Sequence, residues 1–147
     1  MSNTHPLPSE PLLDERALMQ HIGFLLSHGR PAGRELWLVF LDACRRPIPT
    51  VTNVDAVPVA PDRRLVVNLF EVIGKVLDES VIGGSVAIAM ERLGTPEISL
   101  NDRLWGAALH KCARQGRIPF HGPYLVVSGE VVPLPGHAPG AVKRISS

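Results

Sequence analysis

Two residues three positions apart, Ser99 and Asp102, carry the clearest chemical signal in the sequence. They follow a short apolar run, 85–90, and a turn, and they open a stretch with helical periodicity. Backbone N–H groups and side chains converge where a strand leads into a helix, which favours a binding or catalytic site there. Ser-x-x-Asp at a helix start is also a capping box, in which both side chains satisfy backbone N–H groups. Capping explains both residues without a metal, and we prefer it.

The other candidate donors are His110, Cys112 and His121. The first two are two positions apart on a predicted helix and so do not share a face. Cys112 falls on the apolar side, which is typical of a small core residue. The sequence therefore predicts no zinc site here, and it contains no P-loop, dinucleotide fingerprint or Gly-x-Ser-x-Gly motif.

Hydrophobic periodicity predicts the elements that would position these residues. The strongest strand, 35–42, is apolar throughout and should be covered on both faces. Two prolines place the following strand, 48–54, at an edge of the sheet. The predicted elements are helices 13–28, 63–78 (capped by Asp62) and 100–115, and strands 35–42, 48–54, 85–90, 117–121, 124–127 and 131–134.

This order predicts a mixed sheet with helices on its faces, in the α+β or mixed α/β class. The 147 residues suit a single domain over 12–134, with a flexible segment 1–11 and a small, polar and basic tail, 135–147, expected to be disordered. A net charge of +1 argues against a nucleic-acid surface. Two cysteines and no apolar run of membrane-spanning length predict a cytoplasmic protein without membrane contact.

Three segments resemble the JAB/MPN metalloprotease-like family, most closely its RadC-like branch. They are ELWLVFLD with the basic turn after it, SVAIAMERLGTPEISLND, and RIPFHGPYLVVSGEVVPL. Together they span about 35–134. The resemblance implies a three-layer, cytidine-deaminase-like architecture around a central mixed sheet.

The second segment looks like the family's metal-binding motif, His-x-His-Pro-x-Gly followed by Ser-x-x-Asp. With Gly94 as the motif glycine, the Ser-x-x-Asp pair matches without a gap. The two histidine positions fall on Ala89 and Glu91, and the proline position falls on Arg92. No acidic residue near 50–52 matches the family's catalytic glutamate. An open zinc site needs about three protein ligands, so we expect no metal, no cofactor and no catalytic residues. We interpret Glu91 and Arg92 as a solvated pair on the turn.

The resemblance, together with the missing histidines and the missing catalytic glutamate, predicts a catalytically inactive domain. This domain would serve as a protein-interaction or scaffolding module in a bacterial cytoplasm. Its partner would be an unidentified protein, with a homodimer left open. Candidate cleft or partner-binding residues are Met90, Arg92, His121 and Tyr124.

Two alternatives remain. One is a hydrolase of altered chemistry that uses Glu91 and Asp102 with a divalent cation. The other, by RadC analogy alone, is an accessory protein of DNA repair, which the near-neutral charge does not support.

Overall fold

Over the residues that the structure describes, the fold is that of a mixed α/β protein with a five-stranded sheet and three helices. The computed structural model describes residues 10–27, 31 and 33–136. The predictions for residues 1–9 and 137–147 lie outside this part of the chain. In chain order the elements are α1 (Glu15–Leu25), β1 (Arg34–Leu41), β2 (Pro47–Val57), α2 (Arg63–Glu79), β3 (Ser85–Glu91), α3 (Leu100–Gln115), β4 (Phe120–Val127) and β5 (Glu130–Pro133).

The sheet has the strand order β2-β1-β3-β4-β5. β1 runs antiparallel to both of its neighbours, β3 and β4 are parallel and joined through α3, and β5 returns antiparallel to β4. β2 lies at an edge, as its prolines predicted. Every residue from 86 to 91 in β3 is buried, because strands cover both of its sides and helices cover both of its faces.

In the described part of the chain, two apolar clusters form the core, one on each face of the sheet. The larger cluster joins α2 and α3 to side chains such as Leu36, Ile88 and Met90. The smaller cluster joins α1 to side chains such as Ala89 and Tyr124 on the opposite face. Successive residues of a strand point to opposite faces, so β3 contributes to both clusters in alternation.

The helix starts follow from their capping residues. The side chain of Asp62 accepts hydrogen bonds from the N–H groups of Arg64 and Leu65, and α2 begins at the residue predicted. The first helix is shorter than predicted, because Asp14 caps it and Leu26 already ends it. His28, the predicted last residue, lies outside the described residues.

The two predicted strands 117–121 and 124–127 form one strand, β4. The register to β3 shifts between the pairs Ala87–His121 and Ala89–Tyr124, so β4 has one residue more than β3 over this interval. Such a bulge keeps a strand continuous across an irregular residue, here Gly122 with a φ of 94°. The His-Gly-Pro-Tyr segment therefore bends a strand and does not interrupt it.

Candidate functional site

The capping box at the start of α3 is present as the sequence predicted. Ser99 is the N-cap residue; its hydroxyl accepts a hydrogen bond from the Asp102 N–H at 3.1 Å. In return, Oδ2 of Asp102 accepts one from the Ser99 N–H at 2.8 Å. The arrangement fixes the Asp102 carboxylate beside the first turn of the helix, where the helix dipole favours negative charge.

Two arginines occupy the rest of this carboxylate. Arg34 Nη1 donates to Oδ1 at 2.7 Å, and Arg92 Nη2 donates to Oδ2 at 2.7 Å. Arg92 Nε lies 3.0 Å from Oδ1 and 3.2 Å from Oδ2. The Asp102 side chain is completely buried, and those of Arg34 and Arg92 are 8% and 12% exposed. We call these three residues the Asp102 cluster.

The electrostatics of the Asp102 cluster favour the ionised acid. Burial alone would raise the pKa of Asp102, but hydrogen bonds from Arg92, from the Ser99 N–H and from Arg34 outweigh it. They hold the pKa of Asp102 well below its ordinary value, so the carboxylate carries its charge at neutral pH. Both oxygens of Asp102 already accept hydrogen bonds from these donors, and neither oxygen is exposed to solvent.

Arg92 also shapes the turn between β3 and α3. Its Nη1 donates to the carbonyl oxygens of Leu93 and Thr95, at 3.0 and 2.9 Å, and its Nη2 donates to that of Glu97 at 2.8 Å. The turn therefore wraps around a single guanidinium group. Gly94 has a φ of 112°, a conformation that side chains with a Cβ rarely adopt. A Cβ there would also lie 3.1 Å from Arg92 Nη1.

Glu91 lies on the other face of the sheet. It is the last residue of β3, is 3% exposed, and accepts a hydrogen bond from Trp37 Nε1 at 3.1 Å. Burial raises its pKa, the bond from Trp37 lowers it in part, and the charge of Glu35 raises it further. The prediction of a solvated Glu91–Arg92 pair is therefore wrong, because one side chain is buried on Trp37 and the other on Asp102.

This geometry does not suit the zinc ion that the family resemblance implies. Ala89 has no donor atom and is buried in the smaller cluster. Glu91 and Asp102 are directed to opposite faces, and the Asp102 oxygens are taken by guanidinium groups. Within the described residues, no group of three or more His, Cys, Asp or Glu side chains could hold a metal ion.

The candidate cleft residues do not come together at one surface. Met90 is fully buried, and its sulfur lies 3.3 Å from Arg34 Nη1. Tyr124 is also buried; its hydroxyl donates to Glu15 Oε2 at 3.2 Å. His121 pairs in register with Ala87, toward the opposite end of β3 from Asp102. Met90 and Tyr124 therefore serve the core and do not offer a surface to a partner.

The remaining histidine of the predicted donor group is part of a packing contact. His110 meets the ring of Phe120 edge to face, with 5.2 Å between the ring centres. Cys112, which is partly buried, packs against the larger cluster, as expected of a core residue. His110 and Cys112 thus contribute to packing rather than to a donor site with His121.

Sequence reasoning missed Arg34, which lies 68 positions from its partner Asp102. A basic residue directly before the most apolar strand was the one available signal, because a charge at that place needs a partner when the strand is buried. Among the described residues, no helix combines the length and apolar character needed to cross a membrane. Comparison of the sequence with protein-family models finds no match, and neither does comparison with curated proteins.

Proposed function

We propose that this chain is a degenerate RadC-like domain of the JAB/MPN type that serves as a protein-interaction or scaffolding module in a bacterial cytoplasm. The observation that carries the proposal is the Asp102 cluster. The residue that matches the family's metal-binding aspartate is completely buried and bound by two arginines.

The cluster is a poor starting point for metal-dependent hydrolysis. A catalytic zinc needs ligands with free lone pairs and one open position for water. To bind a cation, Asp102 would have to leave Arg92 and Arg34, and both guanidinium groups would remain buried without their counter-charge. The same argument weighs against the alternative of a cation held by Glu91 and Asp102, since these carboxylates belong to opposite faces.

The turn held by Arg92 is the surface we assign to the partner. Leu93 and Leu100, at either end of it, are 58% and 62% exposed. Bonds from Arg92 to three carbonyl oxygens fix the turn before any partner binds. A preorganised segment loses less conformational entropy on binding, so more of the contact energy appears as affinity.

The experiment has a metal arm and a partner arm. In the first, the purified chain is dialysed against Zn²⁺ or Mn²⁺ and its metal content is measured. We expect no stoichiometric metal. About one ion per chain, lost in Asp102→Ala, would overturn the proposal of a degenerate, metal-free domain and support the alternative of a metal-dependent hydrolase.

In the partner arm, tagged chain is purified from its own cells after cross-linking, as wild type and as Leu93→Ser/Leu100→Ser. We expect the double variant to lose the captured protein. Ile82→Ser is the matched control, because Ile82 is 74% exposed but precedes the opposite end of β3. Exposed substitutions of this kind usually change stability by less than about 0.5 kcal/mol, so thermal melts should agree. Equal capture by all variants would exclude this turn as the partner surface.

A further inference from the structure

A cavity of about 430 Å³ opens at the end of the sheet opposite to the Asp102 cluster. Here β1 ends while β3 and β4 begin. Ser85 and Glu91, the two ends of β3, are six residues apart, or about 20 Å at the usual rise of a strand. The residues with polar side chains that line the cavity are Asp42, Arg45, Asp78, Ser85 and His121.

Two of these side chains form a close pair. The Ser85 hydroxyl oxygen lies 2.8 Å from Nε2 of His121, which is hydrogen-bond distance. Both residues are partly exposed and line the open cavity, so a small molecule could reach them. A hydroxyl hydrogen-bonded to an imidazole nitrogen is the arrangement that activates a serine nucleophile.

The backbone delivers Ser85 to this place. Gly84 precedes it and passes so close to β1 that a Cβ would overlap the carbonyl oxygen of Leu41. The β1–β2 turn brings Arg45 to the same cavity, where Arg45 Nε donates to the Leu12 carbonyl oxygen at 2.7 Å. The pair therefore lies near the starts of β3 and β4, beside the turn that Arg45 holds to Leu12.

The surroundings of His121 favour its neutral form. Burial lowers the pKa of His121, the charge of Arg45 lowers it further, and the charge of Glu15 on α1 opposes both. Asp42 and Asp78 also line the cavity. The carboxylate of Asp42 accepts hydrogen bonds from the N–H groups of Cys44 and Arg46 in its own turn. A neutral imidazole can accept the serine proton at physiological pH.

We propose that Ser85 and His121 form a nucleophile–base pair that cleaves small carboxylic esters in this cavity. Ser85 Oγ attacks the ester carbonyl carbon and forms the new C–O bond, while its proton passes to His121 Nε2. The bond to the leaving alkoxide then breaks, and His121 returns the proton to that oxygen. Water hydrolyses the acyl-serine by the same route, with its proton held by His121 and then given to Ser85 Oγ.

This activity would be separate from the proposed partner surface. It uses neither Asp102 nor the turn 93–100, and it needs no metal. The two proposals can therefore fail independently.

The test combines active-site labelling with a model substrate. The full chain is incubated with a fluorophosphonate probe and the modified peptide is identified by mass spectrometry, and 4-nitrophenyl acetate hydrolysis is followed in parallel. We expect the label on Ser85. We expect hydrolysis to fall at least about a hundredfold in Ser85→Ala and in His121→Asn, the lower end of what a positioned general base contributes. Ser80→Ala is the matched control, since Ser80 is exposed at the end of α2 and should leave the rate unchanged.

A pH profile and a thiol variant distinguish catalysis by this pair from the effects of a misfolded variant and from acylation of surface residues. The rate should rise with a midpoint below 6.5, the ordinary histidine value. In Ser85→Cys, the new thiol should react with iodoacetamide faster at pH 6 than the exposed Cys44 of the same chain. Absence of label on Ser85, undiminished hydrolysis in Ser85→Ala, or slower alkylation of the new thiol than of Cys44 would overturn the proposal.

Discussion

Replacing Asp102 by asparagine should remove a large share of the stability of the domain. The substitution keeps the shape of the side chain but removes its charge. It also turns one acceptor oxygen into an NH₂ group that faces guanidinium N–H donors. Water cannot compensate, because the three side chains of the Asp102 cluster are 0%, 8% and 12% exposed. Removing one partner of a buried ion pair costs about 3–5 kcal/mol, out of a total stability of about 5–15 kcal/mol for a typical domain.

The assay is urea unfolding at pH 7. A loss of about 4 kcal/mol, with a slope of about 2 kcal/mol per M, lowers the midpoint by about 2 M. Asp62→Asn is the matched control: Asp62 is the exposed N-cap of α2 and accepts two backbone N–H groups. Asparagine caps as well as aspartate, so this variant should stay within about 0.5 kcal/mol of wild type. A loss below about 1 kcal/mol in Asp102→Asn, or an equal loss in both variants, would mean that the charge of Asp102 contributes little to the stability of the fold.

The Asp102 cluster also makes the stability of the fold depend on pH in the acid range. Because folding lowers the pKa of Asp102, the unfolded chain takes up this proton first as the pH falls. The stabilisation is complete above the unfolded value of about 3.9 and is lost progressively as the pH falls below it, toward the folded-state pKa. Wild type should therefore lose stability more steeply than Asp102→Asn below about pH 4. Parallel pH profiles of the two chains would contradict this.

Three further changes test the remaining contacts. Burial raises the pKa of Glu91, so the folded chain binds its proton more tightly than the unfolded chain does. The wild type should therefore lose stability as the pH rises from about 4.3. Glu91→Gln can still accept the hydrogen bond from Trp37, and urea unfolding at pH 5 and 8 should show that it removes this pH dependence. Ser99→Ala should cost about 1 kcal/mol, the usual value of a lost N-cap, and a neutral result would tell against the capping box. Gly84→Ala should abolish soluble expression or lower the melting temperature sharply, since its Cβ would overlap a carbonyl oxygen of β1. In the control Gly33→Ala, the added Cβ meets nothing within 4 Å, so its melting temperature should equal that of the wild type.

Local signals in the sequence were sufficient to locate most elements. Asp62 and Ser99 cap their helices where predicted, because an N-cap depends on contacts within three residues. The turn at Ser128 and Gly129 closes the last hairpin, with φ values of 52° and 82°. Where contacts are local, residue type and spacing determine the structure.

The site was less predictable because its contacts are distant in sequence. Arg34 reaches Asp102 across 68 positions, and Ser85 reaches His121 across 36. Glu91 was expected at the surface as a charged residue beside a turn, but Trp37 on the neighbouring strand supplies the hydrogen bond that lets it be buried. Pairings of this kind depend on strand order and register, which no local pattern specifies.

The Asp102 cluster joins separate elements of the fold, as a bound metal ion often does, but it leaves no coordination position open to water. It ties together the start of β1, the turn after β3 and the start of α3 through one carboxylate. A catalytic metal would keep one position open to water, whereas planar guanidinium groups saturate the oxygens with fixed N–H donors. This end of the sheet is therefore joined by charged hydrogen bonds, and the oxygens of Asp102 are not open to a metal ion. A reacting group needs the opposite arrangement, an accessible atom beside a base, and within the described residues Ser85 and His121 meet that requirement at the other end of β3.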